Sequence, residues 1–126
     1  LPWMLKQRQR VAKRYDAHFK NHNKIEITQC DRPDSTNSYF HYPVMVDSRD
    51  IVITRLKDKG IDTRIIWPMA LYEQGLYSKK GGEAYRKMSC PVAEKFTSRV
   101  INLPIFSSLH DNQVDKIASE VLDALV

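Results

Sequence analysis

Few residues of this chain could carry chemistry, and they are scattered. There are four histidines, His18, His22, His41 and His110, and two cysteines, Cys30 and Cys90. His18 and His22 lie one helical turn apart, which is a metal-ligand spacing. No third ligand is close in sequence, and a surface pair on a fraying helix end accounts for them better. The cysteines form no C-x-x-C and no zinc pattern, so they read as two ordinary thiols of a reduced intracellular protein; a Cys30–Cys90 disulfide has no support in the spacing. Carboxylates occur singly, which leaves no readable acid/base pair. The nucleophile-elbow, phosphate-loop, zinc-protease and dinucleotide motifs are all missing from the sequence. On its residues alone, the chain reads as a soluble α+β domain without a self-contained active site.

Composition agrees with one folded unit. The chain has 126 residues, 42% of them apolar and 28% charged, enough apolar area to offset chain entropy. Four glycines and six prolines exclude a collagen-like or low-complexity chain. No apolar run approaches the roughly 18 residues that a membrane span needs, so no membrane partner is expected. The opening Leu1-Pro2-Trp3-Met4-Leu5 is too short for a signal-peptide core and is followed by bases, not preceded by them. It lacks an initiator Met, so the chain is expected to begin inside a longer protein. The net charge is +5, and bases are densest early, at Lys6, Arg8, Arg10, Lys13, Arg14, Lys20 and Lys24. A basic helix invites a nucleic-acid reading; a solvated face is the plainer one, because no aromatic–basic stacking module accompanies it. No nucleic-acid partner is expected.

The elements follow from periodicity. Met4, Val11, Ala12, Tyr15 and Phe19 make a helical stripe, with Pro2 suited to its first turn. Residues 25–28 alternate weakly as a short strand, residues 31–38 are a loop by composition, and residues 39–46 read as a strand. Pro43 removes a ladder donor and demotes its end of that strand to an edge or a bulge. Asp47 or Ser48 caps a second helix through Ile51, Val52, Arg55, Leu56 and Lys59, and Gly60 stops it as a C′ residue. Residues 61–67 alternate and are β-branched, a strand stopped by Pro68. Residues 69–89 are irregular, with Tyr72 and Tyr77 flanking Gln74 and Gly75. A helix begins at Pro91, with Val92, Ala93, Phe96 and Val100 sharing a face. Residues 101–103 form a short strand closed by Pro104. The last helix has the clearest stripe: Val114, Ile117, Ala118, Val121, Leu122 and Leu125, with Asp111 as cap or first-turn acid. Strands and helices in this order imply an α+β two-layer domain.

Several blocks then show a resemblance. The run from Gly60-Ile61-Asp62-Thr63 through Ile66-Trp67-Pro68-Met69-Ala70-Leu71-Tyr72-Glu73-Gln74-Gly75-Leu76-Tyr77 resembles the G-I-x-T and H-Y-P-x-P-L-H-x-Q-P-x-Y segments of the DegT/DnrJ/EryC1/StrS aminotransferases. Cys90-Pro91-Val92-Ala93-Glu94 is similar to that family's P-x-A-E helix start. Asn102-Leu103-Pro104-Ile105-Phe106 with Asp111-Asn112-Gln113 is similar to its S-L-P-x-x-P-x-L-T-D-E-Q ending. Arg10-Val11-Ala12-Lys13-Arg14-Tyr15 is similar to its R-x-x-I-A-x-x-Y helix, and residues 38–46 to its strand. The blocks fall in family order and span nearly the whole chain.

The resemblance implies the C-terminal small domain of a fold-type-I aminotransferase: a short, mostly antiparallel three-stranded sheet with helices on one face. Residues 1–24 would bridge toward a missing N-terminal large domain, and residues 25–126 would form the small domain. It implies a pyridoxal-phosphate enzyme, cytoplasmic and homodimeric, moving an amino group from an amino acid, commonly glutamate, to a nucleotide-linked keto sugar. The cofactor and its lysine would belong to the large domain, so no catalytic or cofactor-binding residue is assigned here. The small domain would close the substrate pocket. The resemblance places Ile66, Trp67 and Tyr72 near substrate, with Ile66 and Tyr72 standing where the family has histidines. Trp67 and Tyr72 offer a flat apolar face and a polar tip, or else are core aromatics under the loop. Arg64 would pair with a substrate carboxylate or phosphate, or is a solvated strand residue, and His41 is a further substrate contact. The rival readings are a non-catalytic regulatory or binding module of the same fold, and a basic nucleic-acid-binding domain.

Overall fold

A computed structural model describes residues 1–28, 33–75 and 89–126. Cys30 and Tyr77 lie outside these residues, and Cys90 is an exposed free thiol. Helix α1 spans Pro2–Phe19 and buries Val11, Ala12, Tyr15 and Phe19, the stripe expected from sequence. Of the expected stripe only Met4 is exposed, with Leu1 and Trp3 exposed beside it. Strands β1 (Ile25–Ile27), β2 (Tyr42–Val46) and β3 (Val100–Leu103) form a sheet of order β1-β2-β3. Both pairings are antiparallel, with Ile27 opposite Val44 and Tyr42 opposite Leu103. Helix α2 spans Arg49–Asp58, α3 Pro91–Arg99 and α4 Asp111–Ala124.

Strand alternation sorts the side chains. Tyr42, Val44, Val46, Ile101 and Leu103 join Val11, Tyr15, Phe19, Val52, Leu56, Val114, Ala118 and Val121 in one core. Met45 and Val100, paired in register, are buried outside that cluster. Tyr15 lies at the centre: its ring is 4.9 Å from that of Tyr42, and its hydroxyl donates to Pro104 O at 3.0 Å. Burial pushes both phenols well above the ordinary tyrosine range, and the Tyr42 hydroxyl donates to Asp16 at 2.5 Å.

Three sequence expectations change. The strand over residues 61–67 reduces to one antiparallel bridge, Arg64 opposite Asn102, with backbone bonds of 3.1 and 2.9 Å. The edge of β3 cannot support more. The next outward-facing positions are Val100, whose N–H is bonded to Phe96 O in the last turn of α3, and Pro104, which has no N–H. Pro43 lies in the central strand, not at an edge. Its partner Asn102 has both backbone groups turned to Arg64, so the Pro43–Asn102 pair carries no ladder bond. The proline nitrogen therefore faces the β1 side beyond Ile27, where the Thr28 hydroxyl donates to Pro43 O at 2.9 Å. The strand also starts later than position 39, because Tyr39 is left-handed at φ 46°.

Helix ends follow local chemistry. Gly60, at φ 74°, completes a paired stop in which its N–H bonds Lys57 O and the Ile61 N–H bonds Leu56 O. Ile61 is buried in the core beside Leu56. Ser48 occupies the N-cap of α2 but in a left-handed conformation without a side-chain cap bond, while Asp47 pairs with Arg99 at 2.9 Å. The expected apolar face of α3 is split: Val92, 84% exposed, and Ala93 are open, Phe96 is half-buried and Val100, just past the helix, is buried, while Thr97 is the one buried residue within α3.

Candidate functional site

The segment after the bridge at Arg64 bends at Ile66 and again at Pro68-Met69 into a single 3-10 turn, Leu71–Glu73. Glu73 seals this turn by accepting the Ala70 N–H at 2.8 Å. Tyr72 projects from it toward the start of α3, where its hydroxyl donates to the Glu94 carboxylate. The Cys90 N–H donates to both, at 3.1 Å to the Tyr72 oxygen and 3.2 Å to Glu94 Oε1. Ser89 Oγ lies 3.2 Å from the same carboxylate oxygen. The hydrogen bond to Glu94 raises the Tyr72 phenol above the ordinary tyrosine value, and the same bond holds Glu94 below the ordinary carboxylate value.

Two hollows flank this knot. One, of about 360 Å³, is apolar and includes Trp67, Leu71, Tyr72, Ala93 and Phe96 in its wall. The other, of about 840 Å³, is polar and includes Arg49, Glu73, Glu94, Lys95 and Ser98. Met69 and Thr97 belong to both walls, so the hollows adjoin. Arg49, only 13% exposed, ties the start of α2 to the carbonyl end of α3 by donating to Thr97 O.

The structure thus brings Trp67 and Tyr72 together. Trp67 is 59% exposed, which excludes it from the core of this chain. Ile66, Arg64 and His41 are not in either wall. Ile66 is half-buried. The Arg64 side chain is largely exposed, 3.8 Å from Asp62, while its backbone extends the sheet. His41 is exposed and edge-on to Phe40 at 4.4 Å between ring centroids. Sequence reasoning missed Arg49, Glu73 and Glu94 as parts of the site. The signal for Glu94 was present: Pro91 at the first helical position and a carboxylate one turn in, within reach of the helix's opening amide. His18, one of the sequence's metal-spaced pair, lies 2.9 Å from Asp115.

The sequence matches the profile of the DegT/DnrJ/EryC1/StrS aminotransferase family over residues 1–122. The chain belongs to this family. It is 28% identical over 115 residues to the UDP-N-acetyl-3-dehydro-alpha-D-glucosamine 3-aminotransferase of Acidithiobacillus ferrooxidans, covering 90% of this chain and 29% of that protein. It is 33% identical over 84 residues to a pleiotropic regulatory protein of Geobacillus stearothermophilus, covering 63% of this chain and 22% of that one. The crystal structure of the aminotransferase TlmJ from Streptoalloteichus hindustanus superposes with a TM-score of 0.84 at 27% identity, over 98% of this chain and 32% of TlmJ. This member of the DegT/DnrJ/EryC1/StrS family therefore spans about a third or less of the lengths of these relatives.

The described residues do not fit a pyridoxal-phosphate site. The cofactor's phosphate needs converging donors. The polar hollow instead presents Asp50, Glu73 and Glu94, and its least exposed cation, Arg49, is committed to Thr97 O. Lys95 is exposed on α3. What the arrangement can do is recognise: a flat indole, a clamped phenol and an apolar hollow suit a ring-shaped ligand or a partner surface.

Proposed function

We propose that this chain is the C-terminal small domain of a nucleotide-sugar aminotransferase and that it closes the substrate pocket without making bonds itself. Residues 1–24 lead toward a large domain and residues 25–126 are the closing domain. The complete protein is a pyridoxal-phosphate-dependent homodimer of the cytoplasm, with the cofactor and its lysine on the large domain. It passes an amino group from an amino acid, in this reading glutamate, to a keto sugar carried on a nucleotide. Trp67 and Tyr72 meet the sugar, with Ile66, Arg64 and His41 as outer contacts. The observation that carries this reading is the combination of an almost complete match on this side with a share of about a third on the other. The chain aligns over nearly all of its length with aminotransferases about three times as long.

The test uses the complete protein. Borohydride reduction with bound pyridoxal phosphate, followed by peptide mapping, should label a lysine outside residues 1–126, and glutamate with a UDP- or dTDP-linked keto sugar should yield the amino sugar. A stoichiometric adduct on a lysine of these 126 residues, or no amino transfer by the complete protein, overturns the reading. The similarity to a pleiotropic regulatory protein favours a second reading, a non-catalytic regulatory module of the same fold. A complete protein without the reducible lysine would decide for it. A basic nucleic-acid binder draws less support, because Arg10 and Arg14 of α1 are engaged by Asp111 and Asp115 of α4.

A further inference from the structure

We propose that Glu94 is a positioning residue for substrate: its carboxylate holds the Tyr72 hydroxyl and the opening amide of α3 at one point, and so sets the angle at which the Trp67–Tyr72 wall meets the sugar. This rests on the substrate-closing reading above and adds to it a residue with no place of its own in the pocket's apolar wall.

The geometry carries the inference. Tyr72 and Cys90 are 18 positions apart, on two short elements that share no strand ladder. A single oxygen, Glu94 Oε1, takes the Tyr72 hydroxyl, the Cys90 N–H and the Ser89 hydroxyl. One carboxylate oxygen has about two lone-pair sites, and the Cys90 N–H divides itself between Oε1 and the Tyr72 oxygen; an ionised acceptor makes shorter, stronger bonds than a neutral one. Its place one turn into α3, behind Pro91, also puts negative charge where the helix dipole favours it. Glu73 plays the complementary part by bonding Ala70 N–H, which makes the 71–73 turn rigid within itself. Glu73 thus shapes the turn, and Glu94 attaches the shaped turn to α3. Without that attachment, Tyr72 would still reach the pocket but would sample more rotamers, and substrate would have to order it on binding. The raised phenol and the lowered carboxylate agree with a shared proton-donor bond from Tyr72 to Glu94.

Two experiments test it, one independent of catalysis. On the 126-residue chain, ultraviolet titration of tyrosinate, read as the difference from Tyr72→Phe, should place the Tyr72 step above that of free tyrosine. Glu94→Gln should bring it back toward the ordinary value while leaving the far-ultraviolet helix signal intact. An unmoved step means that Glu94 does not hold the hydroxyl and overturns the proposal. On the complete enzyme, Glu94→Gln and Tyr72→Phe should each raise the sugar KM by about three- to tenfold and affect it more than kcat, the scale of one ordered hydrogen bond. The double variant should be little worse than either single one, because both remove the same contact. Additive effects, or a Glu94→Gln enzyme with a lowered melting temperature and an unchanged KM, assign Glu94 to helix capping alone and overturn the proposal. A parent enzyme that transfers no amino group defeats the functional reading instead, and the titration still decides whether the clamp exists.

Discussion

The Trp67 indole is 59% exposed and forms part of the wall of an apolar hollow. Core burial of Trp67 would make Trp67→Ala cost about 3–5 kcal/mol. Its exposure makes it a surface substitution, expected within about 0.5 kcal/mol of the parent in denaturant unfolding of the 126-residue chain. On the proposed function, the same change in the complete protein should raise the substrate KM several-fold, since it removes a flat stacking surface. Unfolding curves beside kinetics check this. Unchanged kinetics with a stability loss of several kcal/mol would return Trp67 to packing and remove it from the site. Tyr72 differs from Trp67 in kind, because its polar end is already bonded within the chain.

Among the elements, the contact between α1 and α4 holds the charge chemistry. Arg10, Arg14 and His18 follow at helical steps of four, and Asp111 and Asp115 do the same on α4. Arg14 meets Asp115 with two bonds of 2.6 Å, His18 approaches Asp115 at 2.9 Å, and Arg10 bonds both Asp111 and Leu109 O. The Arg14 bonds, then His18, hold Asp115 well below the usual carboxylate range. The folded state therefore binds this proton less readily than the unfolded chain. The stabilisation from Asp115 is complete above the ordinary aspartate value of about 4 and is lost as pH falls below it toward the depressed folded value. Asp115→Asn should narrow the stability difference between pH 7 and pH 3 in urea titrations, and an unchanged difference would show that the pair contributes nothing. Gly60 sets the other end of the helical layer. A Cβ there would meet nothing within 4 Å, so Gly60→Ala isolates the backbone term, an expected loss of about 1–2 kcal/mol for an L-residue at φ 74°. A neutral result in the same urea titration would mean that the stop motif tolerates another conformation.

The whole molecule shows apolar groups on its outside that its own core does not use. Leu1, Trp3 and Met4 lie at the start of α1, Trp67 and Leu71 beside the hollow, and Val92 on the open side of α3. In a domain that works against a larger one, these would be covered. The 126-residue chain is therefore expected to self-associate, with apparent mass rising with concentration in sedimentation velocity and with binding of an apolar dye. A monomer at high concentration that binds no dye would show that these groups do not act as a contact surface. The same paired charges that join α1 to α4 leave the molecule less basic along α1 than its residue list suggests.

Local rules were enough wherever one segment contained its own reason. The α4 stripe, the buried half of α1 and the Gly60 stop are legible because helical period and a left-handed residue need no distant partner. The family blocks were legible for the same reason, being short runs in a set order. Tertiary structure decided what depends on the far side of a contact. Residues 61–67 have a strand's pattern, but only Arg64 pairs, because the neighbouring amide of β3 is taken by α3 and the next residue is a proline. Pro43 lies in the middle of a sheet because its missing donor points past the end of a shorter strand. Val92, Ala93 and Phe96 share a helix face that no part of the described core covers, and periodicity cannot tell a face packed within the chain from one left for another surface. Tyr72 and Glu94 meet across a gap in sequence that no spacing rule spans; a side chain's partner is set by where the backbone returns, which only the folded chain specifies.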